Sequence, residues 1–230
     1  MSREQRDHRD LPCYGLKEGA QCLALSPSTV RAWSVGYPYQ TAKGPGLYRP
    51  LIIPARREPP TLSFWNLVEI YVLASMRRQH RVSMPRVRKA LRFVRNNLAH
   101  ERPLIQQDFL TDGVDLFVEQ YSRLINASRD GQSAMRAVLR ESLQRIERDP
   151  RGLALRLYPW LNAPSEPIAV EINPQRAAGR LVLAHTGIPT QALAERFRAG
   201  ESVDELAGDY AIARVQVEAA LRWEQCALAA

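Results

Sequence analysis

Residues 16–33 read LKEGAQCLALSPSTVRAW, and this stretch decides the fold of the N-terminal part. Four of its apolar residues are four, five and five positions apart: Leu16, Ala20, Leu25 and Val30. Residues four apart share one face of a helix. Each five-residue step carries the chain around a short turn, and the small side chain of Ala20 lets two helices approach closely. The spacing therefore predicts a helix-turn-helix.

The second helix of this motif has clear start signals. Ser26 is a suitable N-cap, and Pro27 fits the first helical position. The helix should run to about residue 35, with Val30 and Trp33 facing the core. Three polar residues are then left facing outward: Ser28, Thr29 and Arg31. Hydroxyl and guanidinium groups suit phosphates and base edges, so these three residues are the first candidates for DNA contact.

The same four, five, five spacing recurs near the C-terminus at Val203, Ala207, Ile212 and Val217. The surrounding segment is acidic, with Glu201, Asp204, Glu205 and Asp209. Because carboxylates are repelled by phosphates, we expect this second copy to serve chiefly protein contacts. The candidate residues for a dimer or partner contact are Leu193, Phe197, Arg214, Val217 and Leu221.

Positive charge is concentrated in the first half of the chain. The net charge is +8, yet residues 14–102 hold fifteen Lys or Arg against four acids, and residues 168–230 have a balance of −2. A basic region of this kind is typical of a polyanion binder, although a solvated basic surface is the alternative. Its coincidence with the helix-turn-helix pattern favours nucleic acid.

Several classes of protein are disfavoured by composition. The sequence has no apolar run of the roughly 20 residues needed for a membrane span, and its polar N-terminus does not resemble a secretory signal. The three cysteines, Cys13, Cys22 and Cys226, lack metal-ligand spacing. They indicate free thiols in a reducing cytoplasm.

Outside the motif, the basic half predicts a loop over residues 36–46 and a strand at residues 51–53. A basic hairpin at this strand would form a wing, with Arg49, Arg56 and Arg57 placed to contact phosphate. A central helix should cover residues 64–79, and another should open at Pro85. The polar face of that helix carries Arg86 and Lys89 as candidates for a phosphate clamp, although a solvated basic face is the alternative.

The pattern of apolar and polar residues changes in the middle of the chain. Asp112-Gly113 between two apolar runs predicts a β-hairpin. A helix is predicted over residues 133–149 and a strand over residues 153–157. The proline-rich residues 159–167 are predicted to be a linker.

The C-terminal piece should begin with strands at residues 168–172 and 181–184. Thr190 is expected to cap a helix that buries Leu193, Ala194 and Phe197. Ser202 with Glu205 predicts a capping box for the next helix, and residues 214–221 supply the last one.

The predicted fold is mainly α with small β elements. A flexible leader (1–13) precedes a winged helix-turn-helix domain (14–102) and a connecting α+β segment with a hairpin and a helix (103–158). The linker (159–167) then leads to a three-helix, helix-turn-helix-like C-terminal domain (168–230).

No catalytic or cofactor-binding constellation emerges. The four histidines lack metal-ligand spacing, and no nucleophile motif or glycine-rich phosphate loop is present. An acidic group at Asp108, Asp112, Asp115 and Glu119 is better explained by turn and surface positions than by a metal site. We therefore expect that the protein is not an enzyme and that it has no metal site and no cofactor.

Three stretches of the basic half carry a family resemblance: residues 16–20 (LKEGA), residues 25–31 (LSPSTVR) with Trp33, and residues 82–88 (VSMPRVR). This half resembles the winged-helix region of MerR-type regulators. The resemblance implies that Ser28, Thr29 and Arg31 contact DNA and that Arg49, Arg56 and Arg57 serve as wing contacts. The loop before the predicted wing is longer and richer in proline than in that family.

The last sixty residues resemble the small helical domain, domain of unknown function 433, that is common in VapB-like antitoxins. The matching stretches are residues 172–174, 187–190, 199–202, 205–207 and 217–221, whereas residues 179–181 lack the family's proline. Together the resemblances imply an antitoxin that represses its own operator and neutralises a PIN-like ribonuclease toxin. We expect a cytoplasmic homodimer, because one recognition helix reads few base pairs and two half-sites multiply specificity. A stand-alone MerR-like regulator with a C-terminal dimerisation domain and no toxin is the alternative. A protein adaptor that uses both copies for protein contacts is the third interpretation.

Overall fold

A computed structural model describes residues 7–41, 44–80, 83–125 and 129–230 of the chain. The helices in these ranges are α1 (Leu16–Cys22), α2 (Pro27–Ser34), α3 (Phe64–His80), α4 (Met84–Leu98), α5 (Val114–Ile125), α6 (Arg129–Gln144), α7 (Thr190–Arg198), α8 (Val203–Asp209) and α9 (Arg214–Ala229). The strands are β1 (Tyr14–Gly15), β2 (Tyr37–Thr41), β3 (Gly44–Tyr48), β4 (Thr61–Leu62), β5 (Ile146–Arg148), β6 (Ala154–Leu157), β7 (Val170–Ile172) and β8 (Leu181–Leu183). The predicted class, mainly helical with small β elements, is confirmed.

The chain forms two compact units. The first comprises Met1–Leu67 together with Arg156–Ala230, and the second comprises Val68–Leu155. The chain passes from one to the other within α3 and within β6. This division differs from the predicted one, because the N-terminal helix-turn-helix and the C-terminal helices share the first unit.

The helix-turn-helix of the first unit forms as predicted. Ala20 and Val30 are fully buried, and the Ser26 hydroxyl accepts a hydrogen bond from the Thr29 N–H at 3.3 Å. Pro27 is the first residue of α2. The apolar spacing and the start signals therefore placed both helices correctly.

The hairpin of the first unit lies earlier than predicted. β2 pairs antiparallel with β3, from Tyr37 opposite Tyr48 onward, and the hairpin covers most of residues 36–46, which were predicted to be a loop. Residues 51–53 are not a strand, because the N–H groups of Leu51 and Ile52 both donate to the Trp33 carbonyl at the end of α2. The predicted basic wing at this position is wrong.

Part of the predicted flexible leader is folded. Arg9 is 3% exposed, donates to the Asp7 carboxylate at 2.6–2.8 Å, and lies over the Trp65 ring at 5.1 Å. The Ser63 hydroxyl donates to Asp10 at 3.2 Å. Residues 7–13 are therefore not a free leader, and residues 1–6 lie outside the described ranges.

The predicted linker is also folded, since Trp160 is 2% exposed and the Glu166 carboxylate accepts the N–H groups of Leu161 and Asn162. After this segment β7 pairs with both β6 and β8. Tertiary burial of an aromatic residue overrides the linker character that prolines suggest in sequence.

The C-terminal helices pack around a small apolar core of Leu183, Leu193, Ala194, Leu206, Val217, Ala220 and Leu221. The predicted capping box is confirmed, because the Glu205 N–H donates to the Ser202 hydroxyl and the Ser202 N–H donates to the Glu205 carboxylate. Two details were wrong. Thr190 is the first residue of α7 and donates to Glu224 at 2.6 Å instead of capping, and Phe197 is 39% exposed.

The second unit is helical where a hairpin was predicted. Residues Phe109–Gly113 form a π-helix that leads directly into α5. The apolar residues that follow have helical spacing, with Val114, Phe117 and Val118 fully buried. A Cβ on Gly113 would lie 2.6 Å from the Phe109 ring, so this glycine allows close packing rather than a turn.

Other contacts define the second unit. Arg102 forms a bidentate pair with Glu69, with N···O distances of 3.1 and 2.8 Å. The Tyr71 hydroxyl donates to the Ser142 carbonyl at 3.0 Å in α6. The helix predicted at residues 133–149 is α6, which ends at Gln144, and its last predicted residues form β5 instead. In the described part of the chain, no helix is long and apolar enough to cross a membrane.

Candidate nucleic-acid interface

The outward face of α2 is available for contact. Ser28 and Arg31 are exposed and Thr29 is half-buried. On the opposite face Val30 is fully buried and Trp33 is 4% exposed. Burial of these two side chains fixes the rotation of α2 about its axis, so the three predicted DNA-contacting residues lie where a ligand can reach them.

The hydroxyl groups at the start of α2 are linked. Ser28 donates to the Ser26 hydroxyl at 3.1 Å, and Ser26 donates in turn to the Thr29 hydroxyl at 2.8 Å. In these hydrogen bonds the Thr29 hydroxyl only accepts, so they do not use its own proton. A hydroxyl proton beside a helix N-terminus suits an anionic oxygen such as that of a phosphate.

Arg31 keeps its charge available. Within the ranges that the structure describes, it takes part in no ion pair, and its side chain is exposed. A guanidinium on an exposed helix face can donate two hydrogen bonds to a base edge or bind a phosphate.

The hairpin follows α2 almost immediately. Gly36 adopts φ +82°, and a Cβ at this position would lie 2.1 Å from the Tyr48 carbonyl oxygen, so the sharp entry into β2 requires glycine. The described residues of β2 and β3 carry no charge. Instead, the rings of Tyr37 and Tyr48 stack at 5.0 Å and Tyr39 meets Tyr48 edge-on at 5.6 Å. Sequence reasoning missed this hairpin.

The three predicted wing arginines follow the hairpin. Arg49 comes directly after β3, and Arg56 and Arg57 lie between β3 and β4; all three are exposed. Arg56 also donates to the Thr61 hydroxyl at 2.9 Å. They belong to the same unit as α2, although not to a basic hairpin.

Buried Asn66 holds the segment that carries two of these arginines. Its amide nitrogen donates to the Ile53 carbonyl at 2.9 Å, and its amide oxygen accepts the N–H of Ala55 at 3.0 Å. The same oxygen accepts the Ser63 N–H. One buried amide thus ties residues 53–55 to the start of α3, and no sequence pattern pointed to it.

Arg86 and Lys89 lie on α4 in the second unit. Both side chains are exposed, opposite the fully buried Val87 and Ala90. Their predicted placement on a polar helix face is therefore confirmed, whereas phosphate contact stays a prediction.

Helix α1, which supports α2, is held by the C-terminal part of the same unit. The buried Tyr14 hydroxyl, just before α1, donates to the Gly179 carbonyl at 2.8 Å. The Trp223 indole N–H of α9 donates to the Gln21 carbonyl in the last turn of α1 at 3.3 Å. No sequence pattern indicated this docking, because each of these residues has the local character of an ordinary core position.

The cysteines are free thiols. Burial raises the pKa of the Cys22 thiol, on the last residue of α1, to about 12, and this keeps the thiol protonated. Cys13 and Cys226 are exposed residues. Partial burial of the Cys13 thiol also raises its pKa.

The second copy of the motif differs at its surface. Arg214 donates to the Asp204 carboxylate at 2.7 and 2.8 Å and to the Glu218 carboxylate at 3.0 Å. The hydrogen bond to Glu218, and after it the one to Asp204, raises the pKa of the Arg214 guanidinium. The charge of Arg214 is therefore already matched by two carboxylates. Arg196 is similarly engaged by Glu201 and Asp209.

Three of the five predicted partner-contact residues are corrected. Leu193, Val217 and Leu221 are at most 8% exposed and form the core of the C-terminal helices, so they cannot contact another molecule while that core is intact. Phe197 and Arg214 are exposed and remain candidates.

The acidic group considered as a metal site is not assembled as one. Asp115 pairs with Arg136 and Arg140, and Glu119 pairs with Arg123. In the described ranges, no three His, Cys, Asp or Glu side chains are arranged to hold a metal ion.

Two family models match the chain. One, described as "Putative DNA-binding HTH domain", matches residues 12–91, which include α1, α2 and the hairpin. The other, described as "Protein of unknown function (DUF433)", matches residues 170–223. The chain therefore carries a helix-turn-helix region that is similar to this putative DNA-binding domain, followed by a DUF433 region.

Two curated proteins of Mycobacterium tuberculosis (strain ATCC 25618 / H37Rv) are similar along almost their whole length. "Putative antitoxin VapB45" is 28% identical, with 92% of this chain and 93% of that protein covered. "Uncharacterized protein Rv2308" is 24% identical, with 92% of this chain and 90% of that protein covered. The chain is thus a homologue of a VapB-like antitoxin, which confirms the resemblance seen in its sequence.

A solved structure shares the fold. The X-ray crystal structure of Rv2018 from Mycobacterium tuberculosis matches with a TM-score of 0.67 over 94% of this chain and 100% of that one, at 21% identity. At this identity the match establishes the architecture alone.

Proposed function

We propose that this protein is a non-enzymatic, cytoplasmic antitoxin that binds operator DNA through α2 and represses its own transcription. The observation that carries the proposal is the face of α2, where Ser28 and Arg31 are exposed while Val30 and Trp33 anchor the helix. The match of residues 12–91 to a DNA-binding domain supports it.

The DNA contacts divide by chemistry. The hydroxyls of Ser28 and Thr29 at the start of α2 suit a phosphate, and Arg31, further along the exposed face, suits a base edge or phosphate in the major groove. That groove is about 12 Å wide and admits a helix. The exposed Arg49, Arg56, Arg57, Arg86 and Lys89 add backbone contacts. Such contacts set affinity, whereas base contacts set sequence preference.

The functional form is a homodimer. One α2 reads few base pairs, and two copies reading half-sites about 34 Å apart multiply specificity. Of the residues predicted for partner contact, Phe197 and Arg214 are exposed in the C-terminal helices. They are the side chains through which a second copy or a toxin makes contact.

The toxin partner is a PIN-like ribonuclease. The similarity along nearly the whole chain to the protein named "Putative antitoxin VapB45" supports a toxin partner, and the PIN-like class of that toxin follows from the resemblance to VapB-like antitoxins alone. A stand-alone regulator with no toxin is the second candidate and is separated from the first by experiment.

Operator binding is tested by footprinting on the DNA upstream of the gene. We expect two protected half-sites one helical turn apart and an affinity that falls by roughly 10³ to 10⁵ between 50 and 200 mM salt for six to ten phosphate contacts. Absence of protection at low salt contradicts DNA binding. An affinity that does not depend on salt contradicts the phosphate contacts and favours a protein adaptor.

Toxin neutralisation is tested with the product of the adjacent gene. Co-expression should relieve the growth arrest that this product causes alone, and the two proteins should co-purify. Operator binding without either result identifies the stand-alone regulator.

A further inference from the structure

The hairpin of β2 and β3 makes few contacts with the other described elements of its unit. Its two strands pack chiefly on each other. Among those of its residues whose side chains the structure describes, none is buried. A two-stranded hairpin with both faces in water is only marginally stable. This hairpin therefore gains stability from a molecule that covers one of its faces.

One face of the hairpin is aromatic. Alternate residues of a strand point to the same side, and residues opposite each other in an antiparallel pair share a side. Tyr37, Tyr39, Gly46 and Tyr48 therefore form one face, the tyrosine face. The rings of Tyr37 and Tyr48 stack at 5.0 Å, and a Cβ on Gly46 would lie 2.7 Å from the Tyr39 ring. Even so, Tyr37 and Tyr39 are 44% and 41% exposed.

Exposed apolar surface continues beyond the two strands. Val35, two residues before β2, is 38% exposed, and Ile53, five residues after β3, is 67% exposed. Both line one cleft of about 330 Å³. Exposed apolar side chains that are grouped in this way mark interaction sites.

The edges of the hairpin do not suit an additional strand. Pro38 in β2 and Pro45 in β3 have no N–H to donate. Within a sheet, proline is tolerated where its nitrogen faces away from the neighbouring strand. Each outer edge thus lacks one donor, which disfavours extension of the sheet. A partner is therefore expected on a face of the hairpin.

The charge of the chain favours a second copy as this partner. The net charge is +8, and residues 14–102 hold fifteen Lys or Arg against four acids, so this half of one copy repels the same half of another. The described residues of β2 and β3 carry no charge, so two hairpins meet without this repulsion. A nucleic acid, in contrast, is attracted by cations that the strands lack.

We propose that the tyrosine face is the homodimer interface and packs on the tyrosine face of a second copy. Such a contact is isologous, because both copies contribute the same residues. Tyrosine rings are rigid and amphipathic, and rings that already stack on each other lose little freedom on docking.

This interface rests on the proposed homodimer and gives it a location. It leaves the exposed Phe197 and Arg214 of the C-terminal helices to the toxin. Only Val35 and Gly36 separate α2 from β2, so pairing of the hairpins brings two DNA-reading helices into one assembly.

Tyr39→Lys and Leu47→Lys are matched variants, because they add the same charge to opposite faces of the hairpin. Leu47 lies opposite Pro38, and therefore on the other face, and is 63% exposed. The oligomeric state of the full chain is measured by sedimentation equilibrium without DNA. We expect a dimeric parent, a dimer Kd raised about 30-fold or more by Tyr39→Lys, and no change from Leu47→Lys.

A charge swap separates repulsion from misfolding. Tyr39→Glu alone should also weaken the dimer, because two carboxylates then meet in one interface. An equimolar mixture of Tyr39→Lys and Tyr39→Glu should form a heterodimer with a Kd about tenfold or more below that of either variant alone. Misfolded hairpins would not regain affinity when mixed.

A dimer that Tyr39→Lys leaves intact, or a mixture no tighter than its components, overturns the tyrosine-face interface and keeps the homodimer. A monomeric parent refutes both. Tighter operator binding by Tyr39→Lys than by the parent would identify DNA as the occupant of this face and also overturn the interface. A dimer that behaves as expected here but does not protect the operator refutes DNA binding and keeps the interface.

Discussion

The two copies of the helix-turn-helix pattern share their apolar spacing and differ in their surfaces. In the first, Ala20 and Val30 are fully buried, and Arg31 on the outer face lies outside every ion pair found in the described ranges. In the second, Val217 is equally buried, but Arg214 is held by Asp204 and Glu218. The comparison teaches that spacing specifies helix packing, whereas the outward residues decide what the motif can bind.

The electrostatic difference between the two copies follows from the residues around Arg31 and Arg214. A phosphate that approached Arg214 would have to displace two carboxylates and would meet their repulsion. Arg31 lies three residues after Ser28 and two after Thr29, and the hydroxyls of these two residues carry no charge. Only the first copy therefore presents a surface that suits an anionic polymer.

The two copies are nevertheless parts of one unit. Tyr14, just before α1, and Gln21, in its last turn, are hydrogen-bonded to Gly179 and Trp223 of the C-terminal part. The C-terminal part thus stabilises the first copy, and a substitution that breaks these contacts should weaken operator binding although it lies outside the DNA-contacting residues.

The largest expected effect is that of Val30→Asp, which places a carboxylate at a fully buried position of the first copy. We expect a loss of more than about 4 kcal/mol in the free energy of unfolding, measured by urea denaturation. The control Val35→Asp, at a position 38% exposed, should cost no more than about 1 kcal/mol, from the unfavourable interaction of a carboxylate with the C-terminal end of α2. Equal stability of the two variants would show that α2 does not pack as described.

The next effect tests the contact between the segment that leads into α1 and the C-terminal part. Gly179 has φ +78°, and a Cβ there would lie 2.3 Å from the Tyr14 hydroxyl oxygen. We expect Gly179→Ala to cost about 3 kcal/mol, from left-handed backbone strain plus the clash. Gly187→Ala is the matched control, with φ +81° and no atom within 4 Å of the added Cβ, and should cost about 1 kcal/mol.

The clash itself is tested by rescue. Tyr14→Phe removes the hydroxyl oxygen and should restore part of the stability of Gly179→Ala, although alone it costs about 1–2 kcal/mol because the Gly179 carbonyl loses its donor. Additive losses in the double variant would mean that the two residues do not touch.

The smallest effect compares two N-cap serines, Ser26 of α2 and Ser202 of α8. Replacing either by alanine should cost about 1 kcal/mol of stability. Ser26→Ala should also weaken operator binding, because Ser26 holds the hydroxyls of Ser28 and Thr29. Ser202→Ala should leave operator affinity unchanged, and an equal loss from both would contradict the difference between the copies.

The sequence predicted those elements whose signals are local. Ser26 and Pro27 correctly marked the start of α2, and Ser202 with Glu205 correctly marked the start of α8. Both predictions succeeded because caps and helical spacing act within a few residues. The outward placement of Arg31 followed from the burial of Val30 and Trp33.

The rest depended on contacts between distant residues. The prolines and glycines of residues 36–46 suggested a loop, yet cross-strand stacking of Tyr37 on Tyr48 accompanies a hairpin there. Asp112-Gly113 suggested a turn, but Gly113 serves close packing against Phe109. The docking of α1 on α9 joins residues about 200 positions apart, and no pattern within either segment encodes it.

The central claim is that α2 of the first copy, and not α9 of the second, binds DNA. Operator affinity is measured against salt concentration for the parent, Arg31→Ala and Arg214→Ala. We predict that Arg31→Ala weakens operator binding by about 1–3 kcal/mol. If Arg31 contacts a phosphate, the slope of log affinity against log salt concentration also falls by about 1 in this variant. Arg214→Ala should bind the operator like the parent. Equal affinity of Arg31→Ala and the parent, or a larger loss from Arg214→Ala, would contradict the account.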